Sequence, residues 1–384
     1  MASIHWLGTG LSTVPGIRRL AAGDTPLALW NRTPEKARAA IAGLDTQASV
    51  HAFDMPALAA AVQPGDVLVS MLPGDWHVPV ARLALEKGAN FVSSSYISPA
   101  MSELDAEARE KGLALVNEVG LDPGIDHLMA HSLVAAYRDS DACDAANRLH
   151  FRSYCGGFPK VPNDFRYKFS WSPLGVLKAL KSPSRSIRGG AVVDVARPWE
   201  AISDYTARLP GGEETFQAYP NRDSLPFIAD YQFDPEWPVD EFVRGTLRLE
   251  GWSDAWQHIF AEVETLQGEA GEARLAEMSD ELWRTQRYAE GEPDRVVLCV
   301  ELEARRDGQP LWHRSHAIDA CGDARGSAMA RLVSYTVSLA VESVLAGRIG
   351  AGVSPAPGDA QLVAEWFATL RELGEEIALI DHLA

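Results

Sequence analysis

"LGTGLSTVPG", residues Leu7–Gly16, follows a short apolar run close to the start of the chain. Two glycines with one spacer match the first two places of a dinucleotide-binding turn. Gly8 makes the bend and Gly10 lets a pyrophosphate approach the backbone, while Thr13 stands where a third glycine would allow close helix packing. Alone, such a pattern is equally an ordinary glycine-rich loop. Its surroundings favour a phosphate cradle that includes Leu11: the turn follows a strand, precedes a helix that Pro15 can open, and begins a run of βα units.

That run is legible over the first 130 or so residues. Short apolar stretches "SIHWL", "PLALW", "ASVHAF", "DVLVSML", "ANFVSS" and "LALVN" alternate with amphipathic ones, the pattern of a parallel sheet wrapped by helices. Thr33-Pro34, Ser98-Pro99 and Asp122-Pro123 each predict a helix start, with a side-chain oxygen at the N-cap and a proline at the first helical position. The expected fold class is α/β, a Rossmann-type doubly wound parallel sheet over residues 1–130 plus about 325–384. Between them the texture changes. "NRLHFRSYCGG", "RVVLCVELEAR" and "LWHRSHAID" predict an antiparallel sheet in an α+β substrate domain over 131–253 and 290–324. Residues 254–289, polar and free of proline, predict a small helical lobe, a candidate lid. The "SAMARLVSYTVSLAVESVLAG" segment predicts a core helix despite its hydroxyl stripe. Trp171, Trp199, Trp237, Trp252 and Trp256 are expected in a core or interface.

The bulk numbers limit the partners. A chain of 384 residues, 46% hydrophobic and 23% charged, can bury a large core in more than one domain. No basic start precedes a long apolar run, and the longest uncharged apolar stretch near the C-terminus, Leu332–Val341, falls short of the roughly 18 residues a membrane helix needs. Neither membrane insertion nor export is expected. Cys143, Cys155, Cys299 and Cys321 lie far apart without CxxC spacing, which points away from a disulfide framework or a metal site and towards a reducing cytoplasm. With 35 basic and 53 acidic residues, the net charge of −18 disfavours nucleic acid and anionic lipid. Any bound anion must be held by a local cluster of Arg, Lys and backbone N–H groups.

The end of the second strand bears on the choice of dinucleotide. NAD-selective sheets carry an acidic residue there, whereas this chain offers Asn31, Arg32 and Thr33, with no carboxylate to repel a 2′-phosphate. Arg32 can contact that phosphate and stack on adenine, so NADP(H) is the expected cofactor. After the fourth strand, Leu72 and Pro73 should border the nicotinamide half. His77 there is either a proton donor or, as such histidines more commonly are, a packing residue.

Five blocks carry a resemblance. "SSSYISPAMSELDAEAREKGLALVNEVGLDPGIDHLMA" (Ser93–Ala130), "SYCGGFP" (Ser153–Pro159), "YKFSWSPLGVL" (Tyr167–Leu177), "AYPNRDSLPF" (Ala218–Phe227) and "VRGTLRLEGW" (Val243–Trp252) resemble successive segments of the saccharopine reductase family, the NADP-dependent, L-glutamate-forming saccharopine dehydrogenases. The likeness weakens after Trp252 and returns near "RGSAMARLVSY" (Arg325–Tyr335). It implies an NADP(H) enzyme that joins L-glutamate to 2-aminoadipate 6-semialdehyde through an imine, or oxidises saccharopine in reverse. It also implies a homodimer whose α+β domain supplies the dimerisation surface.

What the resemblance implies for residues is specific. Arg222, between Asn221 and Asp223, matches a carboxylate-binding arginine of the family, as a polycarboxylate amino-acid substrate requires. Lys168 and Arg244 are further candidates, each equally readable as a surface charge or structural ion pair. Tyr96, Asp122 and Cys155 fall on positions associated with the family's acid–base and substrate-orienting site, with Glu118 and Asp126 on the substrate side. Spacing alone reads Asp122 differently: four residues before Asp126, it would cap one helix, whose dipole stabilises the charged form. Cys155 by itself is also an ordinary buried thiol. Two rival readings stay open. One is a related C–N-forming reductase, of carboxynorspermidine synthase or opine type, although a polyamine site would want carboxylates where Arg222 stands. The other is a non-catalytic NADP-binding sensor, which would have no use for Tyr96, Asp122, Cys155 and Arg222 together.

Overall fold

The computed structural model describes residues 2–384 and divides into two compact units. The first runs through Leu128 and resumes over Ala324–Leu370; the second is Met129–Asp323 with Arg371–Ala384. In the first, the six predicted strands form as β1 (Ile4–Leu7), β2 (Leu27–Asn31), β3 (Ser49–Ala52), β4 (Val67–Ser70), β5 (Asn90–Val92) and β6 (Ala114–Val116). A seventh strand, Gly352–Ser354, joins beside β6, so the parallel order is Gly352–Ser354, β6, β5, β4, β1, β2, β3. All four residues of β1 and of β4 are buried, as strands covered on both faces must be. The winding direction reverses between these two, which opens a crevice at their carboxyl ends.

Two of the three helices start where expected, but only the Ser98 start carries the expected side-chain cap. Thr33 precedes the helix Pro34–Ala40, and the Ser98 hydroxyl accepts the Met101 N–H at 3.1 Å at the head of Pro99–Ser102. Asp122 is not an N-cap. The Asp122–Pro123 peptide is cis, the loop closes on itself through the Gly120 N–H and Pro123 carbonyl at 2.9 Å, and the helix begins only at Ile125. A Cβ on Gly124, whose φ is +148°, would lie 2.1 Å from the Gly120 carbonyl oxygen, so this closure requires glycine.

The helix Ala328–Leu345 is long and apolar enough to cross a membrane by length and composition, yet 78% of that window is buried within the fold. It packs against the helix Val14–Ala21, where a Cβ on Gly16 would sit 2.2 Å from the Ser334 carbonyl oxygen. Close packing, assigned by the motif to the place Thr13 occupies, is therefore carried three residues later by Gly16. The hydroxyls of Ser334, Thr336 and Ser338 return to carbonyls of their own helix, which explains how a polar stripe can be buried.

The second unit holds β7 (Arg148–Pro159), β8 (Ser184–Arg188), β9 (Ala191–Val195), β10 (Ser203–Leu209), β11 (Gly212–Pro220), β12 (Val239–Arg248), β13 (Asp294–Arg306) and β14 (Gln309–Cys321). Its path is β10, β11, β12, β7, β13, β14 and the C-terminal strand Ala378–Asp381, with β8 pairing β12 and β9. The sheet is mixed rather than antiparallel, because β12 and β7 run parallel. Residues 371–384 also leave the nucleotide-binding segment expected for them, since Ala378–Asp381 finds its backbone partners on β14. The helical lobe forms as Trp252–Ala255, Gln257–Thr265 and Gly268–Gln286, packed with Pro173–Leu180 around Trp252, Trp256 and Leu275. Trp237 is buried and Trp199 stacks on Phe260, whereas Trp171 is 38% exposed.

Candidate active site

At the crevice of the first unit the chain is shaped for a phosphorylated dinucleotide. Gly8 has φ +96° and its N–H donates to the Trp30 carbonyl at 2.8 Å; a Cβ there would strike the Met71 carbonyl oxygen at 2.7 Å. β1 and β4 thus approach so closely that only glycine fits between them. Above Gly10 there is nothing within 4 Å, so backbone lies open to a ligand, and Leu11 beside it is 51% exposed. The Thr9 hydroxyl is buried with no hydrogen-bond partner, a donor the fold itself leaves unused. Arg32 is exposed and, among the described residues, makes no hydrogen bond or ion pair. The Asn31 side-chain amide donates to the Thr33 carbonyl at 2.8 Å, while the Thr33 side chain makes no capping bond. Leu72 is half-buried and Pro73 exposed just past β4. These residues fit NADP(H).

His77 packs rather than donates. Its Nδ1 lies 2.9 Å from the Ser70 hydroxyl and its Nε2 2.8 Å from that of Ser95, and burial pulls its pKa down to about 4. The unfolded chain protonates this ring near 6.5. Stability it confers is therefore complete above 6.5 and lost as pH falls towards 4. By about pH 5 the loss should reach about 2 kcal/mol. Chemical denaturation across that range should show a shallower decline for His77→Gln than for the wild type; parallel curves would exclude His77 as a source of the slope.

Tyr96, in the loop after β5, donates its hydroxyl to Asp122 Oδ1 at 3.2 Å, and both residues are half-buried. Glu118 and Asp126 do not join them. Glu118 is 5% exposed, with Oε1 accepting the Ile97 N–H at 2.9 Å and Oε2 lying 2.9 Å from His127 Nε2. Asp126 has no exposed surface, and its Oδ1 accepts the Gly124 N–H at 2.6 Å. Both carboxylates expected on the substrate side instead hold the fold around the Tyr96–Asp122 pair.

In the second unit Cys155 lies on β7, a buried thiol outside any disulfide and in register with Thr246 on β12. Alternation puts Arg244 and Arg248 on the same face of β12 as Thr246. Arg244 is buried with its guanidinium carbon 4.0 Å from the Phe227 ring centre, and its backbone N–H donates to the Ser224 hydroxyl. Arg248 is buried among Tyr167, Tyr219 and Trp252, at 5.0, 5.4 and 5.2 Å from their ring centres. One of its terminal nitrogens donates to the Leu247 carbonyl, while Nε has no hydrogen-bond partner. Arg222, just past β11, is exposed with φ +58°, and the Asn221 N–H donates to the Arg244 carbonyl at 2.8 Å. Lys168 is already paired, with both Glu292 oxygens 2.6 Å from its Nζ, so the ion-pair reading of that residue holds. Glu301, Glu303 and His313 bring three ligating atoms within 4.8 Å of one another, but Arg152 stands 2.8 Å from Glu301 and already places a cation there.

Two family models match end to end along the chain: the saccharopine dehydrogenase NADP binding domain over residues 4–116, and the saccharopine dehydrogenase C-terminal domain over residues 120–374. The chain belongs to the saccharopine dehydrogenase family. A saccharopine dehydrogenase [NADP(+), L-glutamate-forming] of Pyricularia oryzae is 38% identical over 256 residues, 65% of this chain and 55% of that protein. The mitochondrial alpha-aminoadipic semialdehyde synthase of Mus musculus is 36% identical over 199 residues, 50% of this chain and 20% of that protein. An apo saccharopine dehydrogenase (L-Glu forming) from Saccharomyces cerevisiae superposes with a TM-score of 0.79 at 27% identity, covering 99% of this chain and 100% of that one. The fungal alignments thus span little more than half of the relatives' length.

For a member of the saccharopine dehydrogenase family, the residue the sequence left unassigned is Arg248. It lies inside "VRGTLRLEGW", four positions after Arg244, which is the spacing of one strand face. That signal was available. Its aromatic cage was not, because Tyr167, Tyr219 and Trp252 come from three separate segments. Left-handed backbone at Glu118 (φ +56°) and Arg222 (φ +58°) is likewise invisible in sequence, though such non-glycine residues concentrate at functional sites.

Proposed function

We propose that this chain interconverts saccharopine with L-glutamate and 2-aminoadipate 6-semialdehyde, using NADP(H). The observation that carries this reading is the buried guanidinium of Arg248, on the face of β12 that presents Thr246 beside Cys155. A protein of net charge −18 that buries a cation among aromatic rings, with Nε left without a hydrogen-bond partner, suits a substrate with several carboxylates. Arg222 and Asn221 extend the same polar region by sequence, and Cys155 orients substrate beside it.

The proton work falls to Tyr96 and Asp122. Condensing an amine with an aldehyde releases one water, so the carbinolamine oxygen must gain a proton and the nitrogen must lose one before the imine stands. Asp122, as the acceptor of the Tyr96 hydroxyl, is placed to take and return that proton, with the phenol as its relay. Bound NADPH supplies the hydride that reduces the imine carbon. Residues Gly8–Leu11 seat the pyrophosphate, and Arg32 with Thr33 selects the phosphorylated ribose.

The deciding experiment mixes the purified protein with NADPH, L-glutamate and the semialdehyde while following NADPH absorbance. Oxidation is expected only with both carbon substrates present. Tight NADPH binding without turnover would instead favour the sensor. The same reading makes the protein a cytoplasmic homodimer. None of its four cysteines is in a disulfide, which suits a reducing compartment, and light scattering on the eluted protein reads the oligomer.

A further inference from the structure

We propose that His127 is a positioning residue, setting the geometry of the Tyr96–Asp122 pair through Glu118; this rests on the reading of that pair as the acid–base group. Tyr96 is gripped by its two chain neighbours. The Glu118 N–H donates to the Ser95 carbonyl at 3.0 Å, and Glu118 Oε1 accepts the Ile97 N–H at 2.9 Å. One residue therefore clamps the backbone on both sides of the tyrosine. To do so Glu118 adopts φ +56°, which a side chain tolerates only when its surroundings over-determine it.

His127 supplies that constraint. Its side chain is 2% exposed, and Nε2 lies 2.9 Å from Glu118 Oε2, the oxygen not used on Ile97. Nδ1 lies 3.7 Å from Asp126 Oδ2, while Asp126 Oδ1 accepts the Gly124 N–H and so holds the loop that carries Asp122. A single buried imidazole thus stands between the carboxylate that fixes the Tyr96 loop and the carboxylate that fixes the Asp122 loop. The Tyr96–Asp122 contact of 3.2 Å is long for an O–H donor and a carboxylate acceptor, so small loop movements should decide whether it forms. A misplacement near 1 Å at such a pair is worth about 100-fold in rate.

His127→Gln keeps an amide donor near the position of Nε2, and His127→Leu keeps the volume but no donor. In the active enzyme, His127→Leu should lower kcat about 10- to 100-fold with KM for glutamate and Kd for NADPH unchanged, and His127→Gln should recover most of it. On a Glu118→Gln background His127→Leu should add no further loss, as expected for residues acting through one another. Independently of turnover, amide exchange at Ile97 should quicken about 10-fold or more in His127→Leu and stay as in the wild type in His127→Gln. If the wild type proves inactive with both substrates, the enzymatic reading falls while Ile97 exchange still decides the clamp. Should the Leu variant not fold, His127→Asn, too short to reach Glu118, takes its place. Unchanged Ile97 exchange in the donor-less variant, or equal kcat in the donor-bearing and donor-less variants, overturns the proposal.

Discussion

Asp122→Asn is expected to lower kcat for the proposed saccharopine formation about 10²- to 10⁴-fold, the range that a positioned acid or base contributes. The substitution keeps the volume and the planar end group, and an amide oxygen can still accept the Tyr96 hydroxyl now held at 3.2 Å. What it removes is the ability to take up and return a proton. Asp122 lies outside the helix that begins at Ile125, so no cap is lost and folding should be little changed. NADPH affinity should also stay within about two-fold, because the Gly8–Gly16 turn and Arg32 do not depend on this carboxylate. Steady-state kinetics with a fluorescence titration of NADPH separates the two effects. A kcat within about three-fold of the wild type would remove Asp122 from the proton path.

Arg248→Met should act on the other term. Methionine fills the volume of the arginine stem against Tyr167, Tyr219 and Trp252, so the packed lobe should survive. It cannot answer a carboxylate. Losing a charge-assisted, desolvated contact is worth about 1.5–3 kcal/mol, so kcat/KM for the carboxylated partner should fall roughly 10- to 100-fold. Most of the change should appear in KM, with Kd for NADPH unchanged. Arg248→Lys should restore only part, because an ammonium lacks the planar fork. A variant that is stable, folded and kinetically normal would show that Arg248 serves the aromatic cage alone.

These two residues differ in how far the sequence disclosed them. Asp122 sat in the motif "GLDPGIDH", but its local pattern suggested a helix cap, and the ring closure between Gly120 and Pro123 was needed to free it for Tyr96. Arg248 gave only a strand-face spacing. Lys168, equally placed by motif, turned out to be neutralised by Glu292, 124 positions further along. Asp126 and Glu118, expected on the substrate side, are buried and accept backbone N–H groups of the loops around the Tyr96–Asp122 pair.

The six strands β1–β6 of the first unit, the glycine turn after β1 and the absence of an acidic residue after β2 were settled by the sequence itself. Apolar period, N-cap chemistry and the need for glycine at φ +96° act within a few residues, where neighbours in the chain are neighbours in space. Only tertiary structure decided which buried charges are already answered and which are not. Pairing of β12 with β7, the return of Ala378–Asp381 to β14 and the pairing of Lys168 with Glu292 join segments whose encounter depends on long-range register. A buried ion's partner is fixed by that register, and local residue type carries no record of it.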